Sequence, residues 1–196
     1  MVHADFKTRM RNQLTKALRN RLLVSFTRPF EPGTVNGYVL GIGPKFFHLA
    51  LVSDGLRLNG FQCFRFSDVR KLCVPDKYAA FHEAVLRKRG QRFPKNPPVS
   101  VSSLAELLLT AARAFPLVTI HREKIDPDVC WIGRVIGVRK GRVTLQEIGP
   151  DARWDDQIGI YRLSEITRVD FGGDYEDALY LVAGAPKVTQ SNGPHS

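Results

Sequence analysis

The chain has 196 residues, of which 43% are hydrophobic and 24% charged, and carries a formal net charge of +10; that balance excludes a disordered, low-hydrophobicity chain. Three cysteines, Cys63, Cys73 and Cys130, lack any paired metal-ligand spacing and give no disulfide framework. The charge is uneven: residues 1–99 hold 18 Lys+Arg against 6 Asp+Glu (+12), and residues 100–196 hold 11 against 13 (−2), which points to a polyanion or an acidic surface as partner of the first half.

The first predicted element is an amphipathic helix opened by Asp5, with Phe6, Met10, Leu14 and Leu18 recurring every four residues and Lys7, Arg9, Arg11, Lys16 and Arg19 mostly on the rest of its circumference. From Leu22 the period becomes two, and short strands are expected over 22–26, 35–42, 46–53, 61–66 and 69–74. Pro and Gly at 29–33 and 43–44 make the loops, and Ser67-Asp68 leaves almost no turn before the last strand. Pro75-Asp76 starts a helix carrying Tyr78, Phe81 and Val85, which ends near Gly90.

A basic, Pro-rich run over 87–102 follows, with Pro94, Pro97 and Pro98 breaking regular structure. Ser103 and Glu106 stand in capping-box relation before an apolar helix over 104–115, which is too short to span a bilayer. The charged N-terminus and this absence of a spanning segment lead us to expect a cytoplasmic protein without membrane contact.

The second half repeats the first. Gly133-Arg-Val-Ile-Gly137 follows Gly37-Tyr-Val-Leu-Gly41 at a displacement of 96 positions, whereas Arg162-Leu-Ser-Glu-Ile166 follows Arg65-Phe-Ser-Asp-Val69 at 97. Val118 and Ile120 match Leu22 and Val24, and Tyr175 matches Tyr78. One extra residue must therefore lie before Arg162. The expected division is a first unit over 1–90, a basic linker over 91–102, a second unit over 103–184 and a disordered tail over 185–196. Asp174 is expected to cap the last helix.

With a helix, five short strands and a one-turn connection before the fifth in each copy, the units resemble the Sm-like superfamily of Sm, LSm and Hfq proteins. In their strand, Ser-Asp/Glu and Tyr pattern they are also similar to a group of uncharacterised bacterial proteins. The resemblance implies a mainly β fold with flanking helices: two tandem five-stranded SH3-like/Sm-like barrels, each with an N-terminal and a C-terminal helix. The Sm pattern sets an Asp six and an Asn ten residues after a glycine of strand two. Counting from Gly37 gives Gly43 and Phe47, and from Gly133 gives Arg139 and Val143, so neither unit keeps that RNA-contacting pair; Arg65 and Arg162 keep only the arginine of the second motif.

Two functional readings follow. As a non-catalytic protein-interaction or regulatory module, the chain would present sheet edges, open also to oligomer formation, or an acidic hairpin over 149–157 with Trp154, Asp155 and Asp156 at its tip. As a nucleic-acid-binding protein, RNA before DNA, it would hold phosphates with Lys7, Arg9, Arg11, Arg19, Arg87, Lys88, Arg89, Arg92 and Lys95. Trp154 is expected to fold back onto its unit, as Leu58 stands at the aligned position. Glu147, Asp151, Asp155 and Asp156 lack calcium-loop spacing and read as a solvated acidic tip. His48 and His121 stand apart from other metal-ligand residues and are expected to be structural. No cofactor or metal site and no catalytic motif is expected.

Overall fold

The computed structural model describes residues 2–186, with side chains from Lys7 onward; the tail expected to be disordered lies, from residue 187, outside them. Helix α1 (Val2–Asn20) begins ahead of Asp5, which is therefore inside the helix and not at its cap. Strands β1 (Leu23–Thr27), β2 (Val35–Ile42), β3 (Phe46–Val52) and β4 (Leu58–Arg65) follow. A single 3-10 turn, Phe66–Asp68, leads into β5 (Arg70–Cys73), and α2 spans Ala79–Lys88. Arg87 and Lys88 thus close a helix and do not open a linker.

Helix α3 (Leu104–Ala114) is capped as expected, Ser103 Oγ accepting from Glu106 N at 3.1 Å. Then come β6 (Val118–His121), β7 (Cys130–Arg139), β8 (Arg142–Ile148) and β9 (Trp154–Arg162). A second 3-10 turn, Leu163–Glu165, precedes β10 (Arg168–Phe171) and α4 (Asp174–Ala183), whose cap position is Gly173 and not Asp174. The β8–β9 turn is only 149–153, closed by Gly149 N donating to Arg153 O at 2.8 Å. Asp155 and Asp156 therefore belong to a strand, not to a hairpin tip.

The strands form one ten-stranded antiparallel sheet in the order β5-β1-β2-β3-β4-β10-β6-β7-β8-β9. Each half contributes five contiguous strands in the same relative order, as the repeat requires. Neither half closes on itself through sheet hydrogen bonds, however. Instead of two separately closed barrels, β4 of the first half pairs with β10 of the second through Phe64↔Arg168, Cys63↔Val169, Gln62↔Asp170 and Phe61↔Phe171. The register also locates the extra residue. Val52↔Leu58 is matched by Ile148↔Trp154, and Ala50↔Phe61 by Gln146↔Ile158, so the insertion lies at the start of β9, between Trp154 and Ile158.

Spacings of four and three bury Met10, Leu14 and Ala17 of α1 against Val24, Phe26, Val39, Phe47, Leu49 and Phe64. Phe26 meets Phe47 and Phe64 edge-on at 5.5 and 5.2 Å; each fully buried ring is worth about 1.5–3 kcal/mol. In the second half Leu107, Leu108 and Ala111 of α3 pack with Val118, Ile120, Val143, Leu145 and Val169, and Phe46 and Cys63 of the first half join the same cluster. Phe115, just past α3, touches Phe61 of β4 and Phe171 of β10 at 5.8 and 5.0 Å. The apolar circumference of α3 thus follows from its place between the halves.

A buried ionic network crosses the same seam. Arg28 on the first half is fully buried and pairs with Glu31 at 3.0 Å and with both carboxylate oxygens of Glu123. Arg168 on β10 reaches Glu31 at 2.8 Å, Asp170 at 3.2 Å and Glu123 at 3.6 Å. Burial would raise the Asp170 carboxyl, but Arg168 and His121 together outweigh it and hold the group below its ordinary value.

Candidate nucleic-acid interface

Where the two halves meet, five separate stretches enclose a cleft of about 720 Å³. Lys7 comes from α1, Pro44 and Lys45 from the β2–β3 turn, and Arg65, Phe66 and Ser67 from the end of β4. Val101, Ser102, Ser103 and Leu104 come from the start of α3, and Leu163 and Ser164 from the turn before β10. Among the described residues no Asp or Glu lines it.

Local geometry explains why these stretches converge. Arg11 donates twice to the Gly43 carbonyl, at 2.8 and 2.7 Å, and its guanidinium lies over the Phe66 ring at 5.1 Å, which pins α1 to the β2–β3 turn. A Cβ at Gly43 would stand 1.7 Å from the Val101 carbonyl oxygen, so only glycine lets the segment before α3 pass over this turn. Arg65 donates to the Ser164 carbonyl at 2.8 Å and lies over Phe46 at 5.7 Å. Burial lowers the Arg65 guanidinium from its ordinary value, with Asp68 acting in the opposite sense. Asp68 itself is buried and paired with Lys124 at 3.2 Å, so its charge is answered away from the cleft. Lys7 and Lys45 are exposed, and among the described residues neither is in an ion pair.

The cations expected from the sequence to bind phosphate do not converge. Lys7 enters the cleft, whereas Arg11 is spent on Gly43. Arg89 donates to the carbonyls of Gly55 and, at 2.9 Å, Leu56, and so ties the end of α2 to the β3–β4 turn. Arg87 and Arg92 line a second pocket of about 240 Å³ with Arg21, Tyr38, Glu83 and Phe93. There Arg21 lies over the Phe93 ring at 4.9 Å. Arg9, Arg19, Lys88 and Lys95 are exposed. The segment after α2 is not a free linker either: Asn96 donates to the Leu40 carbonyl at 3.2 Å, and Phe93 meets Tyr38 edge-on at 5.1 Å. Sequence reasoning missed Lys45, Ser102 and Ser164, whose signal is only spatial. It noted Arg65 as a motif residue alone.

Trp154 folds back as expected, its indole N–H donating to the Gly184 carbonyl at 3.1 Å while its ring packs near Leu117, Ile132, Ile148 and Leu179. Asp155 and Asp156 stay exposed. His48 is 1% exposed between Phe61 and Phe171, and burial lowers its pKa to about 4.

His121 proves less isolated than its sequence position suggests. It faces Cys130 across β6–β7 and meets Asp170 at 3.0 Å and Arg168 at 3.0 Å, beside a cavity of about 220 Å³ that also receives Gln62, Thr119 and Glu176. Burial raises the Cys130 thiol, with Asp170 adding to it, and the imidazole is engaged by Asp170 and Arg168. A cysteine activated for attack needs the reverse: a lowered pKa and a base within hydrogen-bond reach. Among the described residues no group of three or more His, Cys, Asp or Glu is placed to hold a metal ion, and no helix is long and apolar enough to cross a membrane. The chain matches none of the family models, curated proteins or solved structures with which it was compared.

Proposed function

We propose that the protein is a non-catalytic RNA-binding module made of two Sm-like five-stranded units joined edge to edge in one sheet, whose cleft holds the phosphate backbone of a single strand. The observation that supports this reading is a 720 Å³ cleft that receives Lys7, Lys45 and Arg65 with four serines and, among the described residues, no carboxylate. Cations gain affinity by releasing condensed counterions, and hydroxyls and backbone N–H groups position phosphate oxygens. The cleft also takes in the β2–β3 turn and Arg65, the places of the two motifs of the family the sequence resembles, of which only the arginine of the second is kept. A protein-interaction role through the exposed edge strand β9, with Asp155 and Asp156 on it, is the second reading.

Replacing Lys7 and Lys45 by Ser tests the first. Both are exposed, so the melting temperature should hold, while the slope of log K against log salt for unrelated single strands should become shallower by about 1.4. Absence of wild-type binding at low salt would sink the RNA reading. An unchanged slope in the double variant would remove the cleft from the site.

A further inference from the structure

The pocket of about 240 Å³ beside α2 gathers three guanidiniums, Arg21, Arg87 and Arg92, and one carboxylate, Glu83, around Tyr38 and Phe93. All three arginines are exposed, and among the described residues none of their side chains makes an ion pair or a hydrogen bond. Glu83 and Arg87 stand four apart on α2, the spacing at which a helix pairs such charges, yet the two form no salt bridge. Like charges gathered on one pocket repel, and an anion placed among them removes the repulsion.

The backbone is shaped to bring these groups together. Leu22 N donates to the Ala17 carbonyl at 3.0 Å and closes the end of α1, which holds Arg21 at φ 52°, the left-handed position that helix ends ordinarily give to glycine. At the end of α2, Gly90 at φ 71° turns the chain back and Gln91 N donates to the Leu86 carbonyl at 2.9 Å, which brings Arg92 and Phe93 to the pocket. The Arg21 guanidinium lies over the Phe93 ring at 4.9 Å, and that ring meets Tyr38 edge-on at 5.1 Å. Gln91 accepts from Leu58 N at 2.9 Å through its side-chain carbonyl, which leaves its amide N–H groups as donors. Burial, and then Glu83, push the Tyr38 hydroxyl up to about 12, so it too stays a donor at neutral pH.

The scaffold itself does not need arginines here. At the repeat displacements of 96 and 97, Leu117, Arg134, Tyr180 and Gly184 stand in the places of Arg21, Tyr38, Glu83 and Arg87, and of the four only Arg134 carries a charge. Leu117 is fully buried in an apolar cluster packed by Trp154 and Tyr180, and the Trp154 indole reaches the Gly184 carbonyl. The second half thus closes with apolar side chains the place that the first half lines with cations.

A guanidinium presents a fork of N–H groups to an oxyanion. Three forks exceed what the two oxygens of a carboxylate can use, whereas a phosphate group offers at least three oxygens and about two negative charges near neutral pH, which answers three cations and one carboxylate. We propose that this pocket is a binding site for a phosphate group, separate from the cleft.

Calorimetric titration of the full chain with inorganic phosphate, at an ionic strength held constant with chloride, should show one site. Arg87→Gln and Arg92→Gln should each weaken it about tenfold without moving the melting temperature. Arg21→Gly relieves the left-handed strain, so phosphate binding should weaken while the melting temperature holds or rises, a split that a structural arginine would not give. The variant with both Lys7→Ser and Lys45→Ser should bind phosphate as the wild type does, which keeps this site apart from the RNA reading. Two RNA strands of one sequence, with a 5′-phosphate and with a 5′-hydroxyl, identify the source of the group: a preference for the phosphorylated end that vanishes in Arg92→Gln assigns a strand terminus, and equal affinity assigns a free phosphate compound. A wild type that takes up no phosphate, arginine variants that bind it as tightly as wild type, or loss of phosphate binding in the double lysine variant would each overturn the proposal.

Discussion

His48 shows how one buried residue couples this fold to pH. Its ring is enclosed by aromatics, its Nε2 is buried without a hydrogen-bond partner, and burial holds its pKa at about 4. The folded-state pKa lies below the unfolded value of 6.5, so the unfolded chain binds the extra proton first as pH falls. The neutral ring's contribution is therefore complete above pH 6.5 and is lost as pH drops through 4, with a magnitude on the order of 3 kcal/mol. His48→Leu should remove that part of the pH dependence. Denaturant melts of both proteins at pH 7, 5.5 and 4.5 should show the difference between them changing in favour of the variant as pH falls, and a constant difference would refute the argument.

At the scale of the element, α3 both seals the second half and opens onto the cleft, and its cap separates the two roles. Ser103→Ala removes the hydrogen bond to Glu106 N and should cost about 1 kcal/mol. Ser103→Asp keeps a capping oxygen and suits the helix dipole, so stability should stay within about 0.5 kcal/mol of wild type. It also sets a negative charge beside Lys7 and Lys45, so affinity for single-stranded RNA should fall although the fold is intact. Thermal melts and RNA titrations of both variants check this; equal RNA affinity for wild type and Ser103→Asp would argue against the cleft. The cap was legible in the sequence because it spans three residues. The cleft around it was not.

For the whole molecule, the seam between the halves decides whether the chain unfolds as one body. Besides β4–β10 and Phe115, it holds the buried Arg28–Glu123 pair, and breaking such a pair leaves an uncompensated charge at a cost of roughly 3 kcal/mol. Both tryptophans, Trp131 and Trp154, lie in the second half, so their fluorescence reports on it alone. Arg28→Met changes only the first half, yet it should shift the tryptophan transition and the far-ultraviolet circular dichroism transition together. Two separated transitions, with the tryptophan one unmoved, would show that the halves unfold independently. The same scale sharpens the charge asymmetry: of the few carboxylates in the first half, Asp68 and Asp76 are buried and Glu31 is tied to Arg28 and Arg168, which leaves Asp54 and Glu83 as the remaining carboxylates among the residues with described side chains.

The sequence alone determined the repeat, most strand positions, the Ser103 cap and the return of Trp154 onto its own half. Each rests on periodicity or on the chemistry of near neighbours in the chain, which act over a few residues whatever the rest does. Tertiary structure alone decided that β4 pairs with β10, so that two expected closed units run on as one sheet. Alternation marks a buried face but does not name the strand across the edge. It also decided which cations are free: Arg11 and Arg89, alike in sequence to their neighbours, are taken up by carbonyls of Gly43, Gly55 and Leu56. Lys7, Lys45, Arg65 and Ser103 share one cleft because Gly43 admits the Val101 backbone, a contact between residues 58 positions apart that no local pattern encodes.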